Sequence, residues 1–170
     1  MEVTSKLILT YLKVPLNKYT FSVKPIREWV TSRSNGEVLN LFAGKTKLDL
    51  NELRIDSDPT MNADIYSDAY DFVFNTNKTF DTVILDPPYA YRKSMEMYNG
   101  NKMSRLNALK DSLYNKTNTN GLIITFGYHS VSMGTNRGFE QVEILLMSHG
   151  GAIHDTIAVV ERKIENRRND

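Results

Sequence analysis

The ten residues Phe80 to Tyr89, FDTVILDPPY, decide the fold. Phe80 to Leu85 is an apolar run of strand length. A polar stretch, Asn75-Thr76-Asn77-Lys78, precedes it and a proline pair follows it, so both ends carry breaker signals. Proline has no amide hydrogen and cannot continue a ladder, so the strand is expected to stop at Asp86. Upstream, Val38 to Phe42 (VLNLF) and Leu53 to Asp56 (LRID) read as two more strands, and downstream so does Gly121 to Phe126 (GLIITF). Continuous apolar runs of this kind mark strands covered on both faces. Helical stretches fall between them. Pro25 to Arg33 carries proline in its first turn and is closed by Ser34-Asn35-Gly36; Ala69 to Phe74 and Met103 to Tyr114 are the others. Alternating strand and helix predicts a doubly wound α/β domain with a mostly parallel sheet. Phe139 to Met147 and Thr156 to Val160, joined through Gly150-Gly151, predict a terminal antiparallel hairpin. The charged tail from Arg162 to Asp170 is expected to fray. No internal repeat or long linker is present, so residues 1–170 read as a single domain without a separate target-reading region.

Composition narrows the chemistry. The chain has 170 residues, 41% of them hydrophobic, and no cysteine. Disulfides, thiolate metal sites and iron–sulfur clusters are therefore excluded, as is any mechanism with a cysteine nucleophile. No apolar run is long enough to span a bilayer, and the N-terminal MEVTSKLILTYL lacks a small-residue cleavage pattern. A cytoplasmic location is expected. Net charge is only +1, so a nucleic-acid-binding surface would have to be local.

In an open α/β sheet, ligands bind beyond the carboxyl ends of the strands, which is where Asp86-Pro87-Pro88-Tyr89 stands. An aromatic amine is a poor nucleophile because its lone pair is delocalised into the ring. A carboxylate accepting one N–H and a fixed carbonyl accepting the other favour the pyramidal form that can attack. Asp86 supplies the carboxylate and Pro87 the carbonyl, held by two locked φ angles. Tyr89 offers a face for a flipped base. The plainer alternative is a proline turn in which Asp86 bonds nearby amides and Tyr89 packs.

Asp86-Pro87-Pro88-Tyr89 resembles the motif of the amino-group methyltransferases that act on DNA and RNA. The resemblance extends over roughly residues 21–162, and a group of small stand-alone archaeal methyltransferase-like proteins is similar as well. It implies a Rossmann-like class I sheet, S-adenosylmethionine as cofactor, and transfer to an exocyclic amino nitrogen, with N6 of adenine in DNA first. RNA amino groups, a protein glutamine amide, and a cofactor-binding module without turnover are the rivals. The resemblance assigns catalysis to Asp86, Pro87 and Tyr89. Asn40-Leu41-Phe42-Ala43-Gly44 is similar to the family's Phe-x-Gly-x-Gly cofactor loop, with Asn40, Phe42, Ala43 and Gly44 as its contacts. It departs from that pattern at Thr46, where a glycine usually stands, and Lys45 to Glu52 is short for the usual helix. Asp56, with Asp58 as a near alternative, matches the acid that takes the ribose hydroxyls. Asp68-Ala69 matches the acid that meets the cofactor's adenine, although Asp68 also suits a helix cap. Phe21 and Lys24 match the segment that reaches the cofactor carboxylate, where Lys24 and a helix N-terminus both suit an anion; a simple helix start fits equally.

Pro88, Tyr91, Arg92 and Lys93 are the candidate substrate contacts, within a basic and aromatic run that continues to Tyr98, Lys102 and Arg105. Such a run can hold phosphates or simply face solvent. Gly44-Lys45-Thr46 is not a phosphate loop, because Leu39 stands where that loop needs glycine. His149, His154 and Asp155 flank the Gly-Gly turn and read as turn residues; no metal is expected. With no room for a target-reading region, specificity points to shape recognition, a homodimer or a specificity partner.

Overall fold

The structure is a computed structural model that describes residues 6–88, 101–151 and 153–165, with residues 101–104 described in backbone only. Eight strands form one sheet: β1 (Ile8–Lys13), β2 (Val38–Leu41), β3 (Glu52–Asp56), β4 (Ile65–Tyr66), β5 (Phe80–Leu85), β6 (Thr117–Gly127), β7 (Phe139–Ser148) and β8 (Thr156–Lys163). Their order is β1-β7-β8-β6-β5-β2-β3-β4. Only β8 runs against its neighbours, β6 and β7; every other pairing is parallel. The doubly wound sheet and its terminal antiparallel hairpin are as the sequence predicts.

Among the described residues three α-helices cover it: α1 (Lys24–Arg33), α2 (Ala69–Asn75) and α3 (Asn101–Leu113). Helix α1 carries Pro25 in its first turn and buries Ile26, Trp29 and Val30, the i, i+3, i+4 stripe of a surface helix. These side chains join Val38, Ile84, Ile124, Phe126, Leu145 and Met147 in the core of one face. Ala69 and Val73 of α2 and Leu106, Leu109 and Leu113 of α3 cover Leu39, Leu41, Val83, Leu85 and Ile123 on the other. Central strand β2 is buried at all four positions, which explains its unbroken apolar reading.

Some boundaries and one segment differ from expectation. Strand β2 stops at Leu41, because Phe42 turns into the left-handed region at φ 58°. The tail does not fray from Arg162. Arg162 and Lys163 belong to β8, and the Lys163 ammonium donates to the carbonyls of Tyr114 and Thr117, both at 2.7 Å. The Ile164 amide is also bonded, to Gly138 O, so these hydrogen bonds hold the segment down. Strands β1 and β4 were not anticipated. Each is defined by its partner, β7 for β1 and β3 for β4, and not by a local pattern.

The turn entering β2 rests on Gly36 at φ 60°, where a Cβ would overlap the Asp81 carboxylate. That carboxylate has little freedom to move, since it accepts from Glu37 N at 2.8 Å and Asn118 Nδ2 at 2.9 Å. The same two bonds, Asn118 first, hold its pKa below the usual aspartate value. Gly36→Ala should therefore cost about 1–3 kcal/mol, read as a lower urea midpoint at unchanged m-value.

Candidate active site

Residues Leu41, Ile55, Leu85 and Thr125 lie in register on β2, β3, β5 and β6. The carboxyl ends of the central strands therefore share one edge. From β2 the chain steps outward to β3 and β4, then returns to β5 and β6 on the other side of β2. The strand order thus reverses between β2 and β5, the point at which open α/β sheets form a binding crevice. Phe42-Ala43-Gly44 leaves β2 on one side of this gap. Asp86-Pro87-Pro88 leaves β5 on the other, with Asp86 partly exposed, Pro87 buried and Pro88 exposed.

The loop after β2 contains no helix between Lys45 and Asn51, as its shortness implied. Three side chains from alternate positions of β3 hold it instead. Glu52 accepts from Leu48 N at 2.7 Å. The Arg54 guanidinium donates to Gly44 O at 2.6 Å and to Asn62 O at 2.9 Å. Asp56 accepts from Gly44 N at 2.9 Å and, through its other oxygen, from Asp58 N at 2.9 Å. Positions i, i+2 and i+4 of a strand share a face, so one polar row clamps both the amide and the carbonyl of Gly44. Burial raises the Glu52 carboxyl above its usual value, against the lowering effect of bonds from Asn40 and Leu48.

Gly44 sits at φ 62°, and a Cβ placed on it would meet only Tyr19 Cδ1 at 4.0 Å. The space before its backbone is open, which is the condition for close approach of a ligand. Tyr19 is flanked by Lys18 and Lys45, whose ammonium groups lie 5.5 and 5.2 Å from its ring. Asp58 caps the following turn through Thr60 N at 2.9 Å, and that bond lowers its pKa most, followed by the Thr60 hydroxyl.

Asp68 is the N-cap of α2, accepting from Tyr70 N at 2.9 Å and Asp71 N at 3.2 Å. It also pairs with Arg105 of α3 at 3.0 Å, as does Asp71 at 3.0 Å. Arg105 lies over the Tyr70 ring at 5.3 Å. The sequence placed Arg105 in a phosphate-holding run; here its charge ties α3 to the head of α2. Ala69 is buried beneath the cap.

The remaining candidates are dispersed. Phe21 is a core side chain packed edge-on to Phe126 at 5.3 Å. That places the start of α1 level with the site edge, since Phe126 follows Thr125. Lys24 is exposed and pairs with Glu28 along α1 at 3.7 Å. Asn40 is fully buried within β2 and donates to Glu52 at 2.9 Å, so its side chain supports the clamp from beneath. Tyr89, Tyr91, Arg92, Lys93 and Tyr98 lie outside the described residues, as does the side chain of Lys102. His149 links Val14 O, at 3.0 Å, to Thr156 Oγ1, at 2.8 Å, a brace within the sheet. Among the described residues no group of three or more His, Asp or Glu is placed to hold a metal, and no helix is long and apolar enough to cross a membrane. Sequence reasoning passed over Glu52, Arg54 and Tyr19. The alternating polar row in ELRID was the available signal for the first two.

No protein-family model and no curated protein matches the sequence. Solved structures do match the fold. The N-methyltransferase NodS from Bradyrhizobium japonicum WM9, in complex with S-adenosyl-L-homocysteine, superposes with a TM-score of 0.57 at 15% identity, over 82% of this chain and 84% of that one. The putative methyltransferase yhhF from Escherichia coli gives 0.58 at 16% identity, over 91% and 92%. TrmN from Thermus thermophilus gives 0.62 at 11% identity over 84% of this chain, which spans only 49% of TrmN. The architecture is that of the Rossmann-like methyltransferases.

Proposed function

We propose that this chain is an S-adenosylmethionine-dependent methyltransferase acting on an exocyclic amino nitrogen, with N6 of adenine in DNA as its substrate. One observation carries the reading. Asp86-Pro87-Pro88 and the clamped Phe42–Gly44 loop leave the adjacent strands β5 and β2 at the reversal point of the strand order. The residues present fit the cofactor. Gly44 leaves open space before its backbone, and Asp56 retains acceptor capacity, since an ionised carboxylate has about four lone-pair sites and the amides of Gly44 and Asp58 occupy two of them. The fold neighbours add support, one of them bound to S-adenosyl-L-homocysteine.

When bound, S-adenosylmethionine supplies an electrophilic methyl on a sulfonium. The chain's own residues do the rest. Gly44 and Asp56 fix the donor on the β2–β3 side. Asp86 accepts one amino hydrogen and the Pro87 carbonyl the other, which turns the nitrogen lone pair toward the methyl. The donor would supply the methyl by exchanging its carbon–sulfur bond for a nitrogen–carbon bond, and Asp86 and the Pro87 carbonyl would hold the amine until its proton leaves. No strong base is needed, and most of the gain comes from alignment and placed charge.

The test is calorimetric titration with S-adenosylmethionine, followed by transfer of labelled methyl to DNA, RNA and protein. Saturable binding with label in the adenine of DNA is the expected result. Absence of binding removes the proposal. Label in RNA or in a glutamine amide keeps the chemistry and moves the substrate.

A further inference from the structure

Strand β1 borders the sheet, and among the described residues no strand pairs with its outer edge. It has no proline and no bulge, and it is strongly apolar: Ile8 is 50%, Leu9 75% and Tyr11 61% exposed. Edge strands are usually blunted by such devices, because an open row of amides and carbonyls pairs with other chains. Between Lys6 and Lys13, which stand at its two ends, the strand itself carries no charged residue. Leu9 and Tyr11 share a sheet face with Ile144 and Leu146, their register partners on β7. Thr10 and Leu12 point the other way, Thr10 bonding Glu143 at 2.7 Å and Leu12 packing on the α1-side core.

We infer that this edge pairs with the same edge of a second copy, antiparallel, about a two-fold axis through Thr10. A two-fold normal to the sheet preserves its faces, so only residues of like parity can stand opposite each other. Axes on Thr10 and on Tyr11 overlap β1 equally, and the Thr10 axis is the one that gives exposed Leu9 an apolar partner in place of Lys13. Leu9 then meets Tyr11, Ile8 meets Leu12, and each pair occurs twice. The exposed apolar side chains are the ones that gain partners, which is the unit of sheet stabilisation. Lys13 falls opposite Leu7 and Lys6 opposite Val14, so no like charges meet. The occupant that satisfies all of these positions at once is the strand itself. The other border of the sheet, β4, is only two residues long, so pairing closes as a dimer and does not propagate. Six residues span roughly 20 Å of edge, a contact at the small end of stable interfaces, and a micromolar dissociation constant follows.

The chain has no cysteine, which makes a single introduced thiol diagnostic. Opposed Cα atoms across such a pair lie about 4.5–5.5 Å apart, within disulfide reach. Sedimentation of the full chain should show a monomer–dimer equilibrium, and Thr10→Cys should form a covalent dimer on mild oxidation. Should Thr10→Cys misfold, an equimolar mixture of Leu9→Cys and Tyr11→Cys chains should cross-link as a heterodimer, and Leu9→Cys alone should not. The combined Leu9→Lys and Tyr11→Lys variant should stay folded and sediment as monomer. A wild-type chain that remains monomeric at about a hundred times the expected micromolar constant overturns the inference. So does a dimer that neither cysteine arrangement can lock.

Discussion

Asp86→Ala should lower methyl transfer to an adenine-containing oligonucleotide by about 10²–10³-fold, the usual cost of removing one placed polar group from a reacting centre. Affinity for S-adenosylmethionine should barely change. The asymmetry follows from the geometry. The residues proposed to hold the donor stand at the ends of β2 and β3, where Gly44 is held by Asp56 and Arg54, while Asp86 leaves β5 on the opposite side of the gap. Asp86→Asn keeps an acceptor oxygen but loses the charge, and should fall between the two. Single-turnover transfer and calorimetry on the same preparations separate the effects. If Asp86→Ala loses cofactor affinity and transfer in parallel, the carboxylate supports the pocket and does not meet the amine.

Glu143→Ala should be the most damaging single change to stability, at about 3 kcal/mol or more. Its side chain, 5% exposed on β7, accepts from Arg33 at 2.9 and 3.0 Å, from Thr10 at 2.7 Å and from the indole of Trp29 at 3.1 Å. One carboxylate thereby ties β1, α1 and β7 together. Truncation strands the buried Trp29 N–H and leaves the Arg33 charge without its partner. Burial works to raise the Glu143 pKa, but the bonds from Arg33, Thr10 and Trp29 outweigh it and the net shift is downward. A carboxyl depressed in the folded state contributes stability that is fully present above its unfolded value, 4.5, and is lost as pH falls through the lower folded value. Thermal melts of wild type and Glu143→Gln should therefore converge as pH drops below about 4.5. Parallel melting curves across that range would show that the carboxylate contributes nothing through its charge.

Much of this was readable from the residues, for identifiable reasons. β2, β5 and β6 announce themselves because strands covered on both faces need apolar side chains at every position. Helix α2 does so because Asp68 caps it. β1 gave no such signal. Its ILTYL run lacks a clean alternation, and what makes it a strand is pairing with β7. The Gly44 turn was legible, but the means of holding it was not. Glu52 and Arg54 looked like ordinary polar strand residues, whereas their function is to satisfy loop backbone that a helix would otherwise have satisfied internally. Asp58 was read only as an alternative ribose contact, and the structure makes it the cap of the turn that follows; for Asp68 the cap that the sequence allowed is the role observed.

The pairing of the first strand with the seventh bears on how the molecule is made. Thr10 reaches its partner Glu143 only 133 positions later. At 5–20 residues per second, a ribosome needs roughly 7 to 27 s to supply it. Throughout that interval the apolar residues of β1 lack the neighbour that they pair with in the finished sheet. Slower translation lengthens that interval and with it the exposure of β1 to other chains.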